Sequence, residues 1–186
     1  MSSVESTGVS LSSTFFLRNF YKADTKAFKA SVRSDYSNNG LSYEDGLALR
    51  RAAKKLISYD YSEEENQASV CSSILAYVDT FNNALTSSGK SENADISRYS
   101  KQLKRLSSKY SEELKEIGIT VNKDGTMTAN KTLLTKADTS KLKAAFSKEN
   151  DFMKSVQSIG KRMSSNSYDA IYSELTKTGM NLNITL

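Results

Sequence analysis

One long run of regularly spaced apolar residues constrains this fold more than any other feature of the sequence. Between about residues 93 and 117, large apolar side chains recur at steps of three or four. That spacing places them along one side of a helix over about three heptads, as in an antiparallel helical hairpin or coiled coil. We therefore predict one continuous helix with a packing seam. The seam residues are Ile96, Tyr99, Leu103, Leu106, Tyr110, Leu114 and Ile117.

A second helix with a similar apolar face precedes this one. Ser62 and Glu65 form a capping box, and the acidic run 63–65 favours the positive end of the helix dipole. Two apolar faces joined by a short polar loop can close on each other within one chain. Alternatively, apolar surface that this packing leaves uncovered can bind a partner. Both alternatives stay open for the residues of the two seams. Those of the second seam are Cys71, Ile74, Val78, Phe81 and Leu85.

The residue types that are missing exclude most catalytic chemistry. The 186 residues contain no histidine, so no Ser-His or Cys-His pair and no imidazole metal ligand exist. They also contain no proline, which allows long unkinked helices. The single Cys71 cannot form an internal disulfide, and its helical spacing from Ile74 predicts a small buried hydrophobe. Because phosphate-loop and metal signatures are also lacking, we predict no enzyme, no cofactor and no small-molecule substrate.

A β-hairpin is predicted directly after the seam helix. Gly118 follows Ile117, where a helix C-terminus favours left-handed backbone. Two β-prone triplets, 119–121 and 126–128, flank a turn centred on Asp124 and Gly125. A calcium loop fits less well, because the EF-hand needs alternating ligands and a distal glutamate.

The remaining patterns set the domain organisation. We predict a loose N-terminal tail over 1–13 and a single helical domain over 14–186. Within that domain, an apolar pattern predicts a helix over 15–32, and the Asn38-Asn39-Gly40 run predicts a turn. Ser42 then caps the next helix.

Short helices are predicted after the hairpin. One begins at Asn150-Asp151, and a separate last helix ends before Gly179. The fold class is therefore mainly α: an elongated antiparallel helical bundle or coiled-coil hairpin with one small β-hairpin.

The charge of the chain leaves an alternative function open. The net charge is +5, and a basic stripe runs along the seam helix between the apolar positions. Such a stripe is typical of a solvated helix face, and less often of phosphate binding. The alternative is a small cytosolic basic module that binds nucleic acid or another acidic partner. No stretch approaches the ~20 apolar residues of a membrane span. The stripe residues are Arg98, Lys101, Lys104, Arg105 and Lys109.

Two segments in order resemble the C-terminal region of the flagellar filament cap, hook-associated protein 2. Residues 74–82 read Ile-Leu-Ala-Tyr-Val-Asp-Thr-Phe-Asn, and 114–120 read Leu-Lys-Glu-Ile-Gly-Ile-Thr. The turn with Asp124 and Gly125 and the segment 141–146 follow in the family's order. The resemblance covers about residues 70–163.

This resemblance implies a function and a location. It implies a non-catalytic structural or assembly protein of the bacterial flagellum, which packs its helices against another copy or another axial protein. Members of the family leave the cell without a cleaved signal, so the resemblance implies an extracellular location. The family's long C-terminal helix is not evident after Met163, which indicates a divergent or truncated relative.

Overall fold

The computed structural model describes residue 33 and residues 36–61 and 67–179 of the chain. The predicted tail over 1–13, the predicted helix over 15–32 and the capping box at 62–65 lie outside the described residues. The helices within them are α1 (Asn38–Ile57), α2 (Gln67–Lys90), α3 (Ala94–Lys109), α4 (Ser111–Glu116), α5 (Lys131–Lys136), α6 (Thr139–Phe146) and α7 (Asp151–Gly179). The strands within them are β1 (Ile119–Val121) and β2 (Met127–Ala129).

The four longest helices form an antiparallel bundle. Helix α1 packs against α2 and α7, and α3 packs against the same two helices from the other side. The Asn39 side chain at the start of α1 contacts Ser91, just after α2, and Glu174, late in α7. Neighbouring helices therefore alternate in direction, as in an up-down-up-down bundle. The predicted class, mainly α with one small β-hairpin, is confirmed.

The centre of the bundle is a cluster of aromatic rings. The Tyr77 ring lies 5.9 Å from that of Phe146 and 6.5 Å from that of Phe152. Phe152 in turn lies 5.4 Å from Tyr110. Burying one large apolar side chain contributes about 1.5–3 kcal/mol to folding. Cys71 is also buried, at 2% exposure, which confirms its predicted role as a small hydrophobe.

Helices α1 and α7 cross at two glycines that face each other. A Cβ atom on Gly46 would lie 2.9 Å from the backbone nitrogen of Ser164 and 3.0 Å from the carbonyl oxygen of Gly160. A Cβ atom on Gly160 would lie 2.9 Å from the carbonyl oxygen of Gly46. Only a residue without a side chain lets two backbones approach this closely. The glycine inside α1 is therefore a packing position.

The hairpin confirms the prediction, with one shift at its second strand. Strands β1 and β2 pair antiparallel, with Val121 opposite Met127. The second strand begins at Met127 instead of Thr126, and the Asn122 N–H donates a hydrogen bond to the Thr126 carbonyl oxygen at the base of the turn. Gly118 and Gly125 both have positive φ angles, as a helix C-terminus and a tight turn require.

The predicted continuous helix over 93–117 is wrong at one point. It breaks at Tyr110, whose φ is −102° and ψ is 16°. Helix α3 before the break packs against α2 and α7, whereas α4 after it packs against β1 and α6. The break therefore redirects the chain from the bundle to the hairpin.

The predicted turn at 38–40 and the cap at Ser42 are also wrong. Helix α1 already begins at Asn38, because the Ser37 hydroxyl oxygen accepts a hydrogen bond from the Gly40 N–H at 3.1 Å. Ser42 lies inside the helix and is buried. A serine is small enough to face a neighbouring helix, so its position in the sequence alone does not identify a cap.

The two helices predicted after residue 150 are a single helix, α7. The polar run 164–167 interrupts the apolar pattern but not the helix. Ser164 and Ser167 are buried in the bundle, and the Asn166 amide donates a hydrogen bond to the Tyr99 hydroxyl at 3.0 Å. No helix in the described part of the chain is long and apolar enough to cross a membrane.

Candidate interaction surface

The seam residues predicted for packing or partner contact lie inside the bundle. Helices α2 and α3 are neighbours, so their apolar faces close on each other and on α7. Leu106 and Tyr110 keep part of their surface accessible. The other side chains are covered by the same chain and present no broad face to a partner. These buried residues are Ile74, Val78, Phe81, Leu85, Ile96, Tyr99, Leu103 and Ile117.

The hairpin is fixed to the bundle by one side chain of α2. The Asn82 amide nitrogen donates to the Met127 carbonyl oxygen at 2.8 Å, and the Asn82 amide oxygen accepts from the Met127 N–H at 2.8 Å. This pair of bonds repeats the pattern that a neighbouring strand would make. Strand β2 is therefore bonded on both sides.

The two predicted turn residues, Asp124 and Gly125, stabilise the turn and hold it against α3. The Asp124 carboxylate accepts hydrogen bonds from the Thr126 hydroxyl at 2.6 Å and the Thr126 N–H at 2.9 Å. These bonds hold the pKa of Asp124 below its usual value. The Gly125 carbonyl oxygen accepts from the Ser107 hydroxyl at 2.9 Å, and Gly125 packs directly on Lys104. The turn is thus occupied by contacts within the chain.

A positively charged groove lies between α3 and α7, with a volume of about 390 Å³. We call it the basic groove. Its floor includes the buried Ile159 and the half-buried Leu106. Three cationic side chains and no carboxylate lie among its lining residues, so it favours an anionic occupant. The lining residues are Gln102, Arg105, Leu106, Lys109, Ser155, Ser158, Ile159 and Arg162.

Ring contacts hold two of these cations at the edge of the groove. The Lys109 ammonium lies 5.0 Å from the centre of the Tyr110 ring, and the Arg162 guanidinium lies 6.0 Å from that of Tyr99. Such cation–π contacts favour these positions while leaving the charge free to bind anions. The basic stripe of α3 already predicted Arg105 and Lys109. The residues from α7 were missed, because the pairing of α3 with α7 joins positions about fifty residues apart.

The second half of α7 carries an exposed aromatic surface. We call residues 168–174 the aromatic segment. Tyr168 is 56% exposed and Tyr172 is 60% exposed, one helical turn further on. The Tyr168 ring lies 6.1 Å from that of Tyr43 on α1. Asp169 is exposed beside them, and Glu174 accepts a hydrogen bond from Asn39 at 2.6 Å. The segment is therefore both aromatic and acidic.

A polar cavity of about 480 Å³ lies beside the aromatic segment, at the end of the bundle. Four of its polar side chains are already used within the fold. Ser37 caps α1, Asn93 caps α3 by accepting from the Asp95 N–H, and Asn39 bonds to Ser91 and Glu174. This cavity therefore offers less to a ligand than its size suggests.

No family model, curated protein or solved structure matches this chain. The resemblance to the flagellar filament cap therefore rests on the sequence segments quoted above. Among the residues that the structure describes, no three acidic, cysteine or histidine side chains gather where they could hold a metal ion.

Proposed function

We propose that this chain is a non-catalytic structural or assembly protein that packs its helices against another copy of itself or another protein. The observation that carries this proposal is the pair of exposed tyrosines on α7, Tyr168 and Tyr172. The contact surface is the aromatic segment, because all the seam residues except the half-buried Leu106 and Tyr110 are buried within the bundle.

The chemistry of the aromatic segment suits a protein partner. Tyrosine is enriched at interfaces, where its ring supplies apolar area and its hydroxyl bonds at the edge. Tyr168 and Tyr172 are one turn apart with the half-buried Ile171 between them, so they form one apolar stripe. A stripe on a regular helix binds with a small loss of conformational entropy, because the backbone is already ordered.

The resemblance to the filament cap suggests where to look for the partner. We propose the bacterial flagellum, with a flagellar axial protein or a second copy as the partner and an extracellular location. A tagged chain expressed in its native cells should then remain with flagellar filaments that are sheared off and washed. Its recovery only in the cytosol would contradict the flagellar part of the proposal.

Light scattering after gel filtration tests the assembly function directly. The mean mass of the wild-type chain should rise with protein concentration, alone or when sheared flagellar filaments are added. The double variant Tyr168→Ser/Tyr172→Ser should associate about tenfold more weakly or worse, as expected when two interface anchors are lost.

The matched control is Leu133→Ser, which removes another large apolar side chain, 53% exposed, from α5. This control should associate like the wild type. A wild-type chain that stays monomeric at every concentration and binds no filament would contradict the proposed function.

A further inference from the structure

We infer that the basic groove of one copy binds the aromatic segment of a second copy, in a head-to-tail contact. This inference rests on the proposed assembly function and names the surface that receives the aromatic segment. The charges, lengths and positions of the two surfaces support it.

The two surfaces are complementary in charge and in polarity. The groove offers Arg105, Lys109 and Arg162, and the segment offers the exposed carboxylate of Asp169. Arginine binds carboxylates through two parallel hydrogen bonds, which orients as well as attracts. The tyrosine rings can pack on the apolar floor while their hydroxyls reach the serines at the rim.

The two surfaces also match in length. The groove residues fall at i, i+3, i+4 and i+7 on both of its helices, from 102 to 109 on α3 and from 155 to 162 on α7. Seven residues of helix span about 10 Å. The aromatic segment, from 168 to 174, spans about 9 Å on the same scale. A groove between two helices is a standard receptor for the apolar face of a third.

The occupant cannot be the segment of the same copy. Both surfaces include residues of α7, which is one continuous helix. Their centres are about twelve residues apart, or about 18 Å along the axis, and Tyr168 and Tyr172 lie about a third of a turn round from the groove. A rigid helix cannot fold back over such a distance. Among the described residues, each copy therefore has one uncovered groove and one segment with exposed tyrosines, and the contact repeats into a ring or a fibre.

A protein segment suits the groove better than nucleic acid does. Binding of single strands depends on aromatic side chains that stack on the bases. The residues that line the groove include no aromatic side chain, whereas they include two apolar ones on the floor. An acidic helix with apolar side chains uses both the charge and the floor.

Two complementary variants of the full chain test this contact. The groove variant is Arg105→Glu/Arg162→Glu, and the segment variant is Asp169→Asn/Tyr172→Ser. Each should lose self-association by about tenfold or more, measured by sedimentation velocity. Mixed together, they should form a 1:1 dimer and nothing larger, because only one intact groove and one intact segment remain in the mixture.

The charge-matched control is Lys101→Glu/Lys161→Glu, which makes the same charge change at exposed lysines outside the groove. It should associate like the wild type, and circular dichroism should show all variants folded. Association that survives in both variants would overturn the inference while leaving the assembly function standing. Lost association without a mixed dimer would also overturn it, because that outcome indicates contact between two identical surfaces.

A binding assay with a DNA probe tests whether the basic groove binds nucleic acid instead of a protein segment. The wild-type chain should not shift the probe at low salt. A salt-sensitive shift that the groove variant abolishes, with self-association unchanged, would assign the groove to nucleic acid and overturn the inference. Strong protection of Tyr172 in the monomer would overturn it as well, since another part of the same chain would then cover the segment.

Discussion

At the scale of single residues, Asn82 shows best what the sequence could and could not reveal. The sequence predicted the hairpin itself, because the Asp124-Gly125 turn and its flanking triplets are local signals. It gave no sign that Asn82 bonds to the backbone of Met127, since that contact joins residues 45 positions apart. An asparagine on a helix looks the same in sequence whether it is solvated or holds a strand.

The substitution Asn82→Ala should lower the free energy of unfolding by about 1–3 kcal/mol. Both backbone groups of Met127 would lose their partner while staying partly buried, and leaving such groups unpaired costs about this much. Urea unfolding followed by circular dichroism measures the change. The control is Asn83→Ala, the neighbouring amide on the same helix, which should change the free energy much less. Equal effects of the two substitutions would contradict the assigned role.

At the scale of elements, the apolar periodicity predicted which segments are helical but not always where they end. The seam over 96–117 was correctly predicted as helical, yet the break at Tyr110 depends on contacts of α4 with β1 and α6. Helix α7 was predicted as two helices, because the buried serines in 164–167 resemble a polar interruption. Small residues that face a close neighbour lack the apolar signal that periodicity relies on. The crossing at Gly46 and Gly160 was missed for the same reason.

Gly46→Ala tests the close crossing of α1 and α7, with Gly89→Ala as its matched control. Alanine has a higher helix propensity than glycine, by about 1 kcal/mol at the interior position 46 and by less at 89, next to the C-terminus of α2. The new Cβ at Gly46 meets backbone atoms of α7, whereas at Gly89 it meets only the Ser100 side chain, with its hydroxyl oxygen nearest at 3.0 Å. Since overpacking typically costs 1–3 kcal/mol, Gly46→Ala should be about that much less stable than Gly89→Ala.

Thermal or urea unfolding of both variants measures the difference. A result in which the two alanines stabilise the chain equally would show that α1 and α7 are further apart than the structure places them.

At the scale of the whole molecule, the sequence predicted the class but not the arrangement. Two apolar seams indicate helices that pack, and they are equally compatible with packing inside one chain or between chains. The structure places both seams inside one bundle, with α3 beside both α2 and α7. Two surfaces of the described residues, the basic groove and the aromatic segment, lie outside the buried part of the seams. The groove was not predictable as a unit, because it joins α3 and α7, and the exposure of the aromatic segment was not predictable, because it depends on which helix faces the bundle covers.

Hydrogen exchange measured by mass spectrometry over a range of protein concentrations tests the central claim most directly. The claim is that the seams close within each chain and that the exposed surfaces make the contacts between chains. Peptides covering 74–85 and 96–101, which include no residue that lines the basic groove, should exchange slowly at high dilution, with rates that do not depend on concentration. Peptides covering 168–174 should become more protected as the concentration rises. Protection that instead grows with concentration in 74–85 and 96–101, with 168–174 unchanged, would contradict the account.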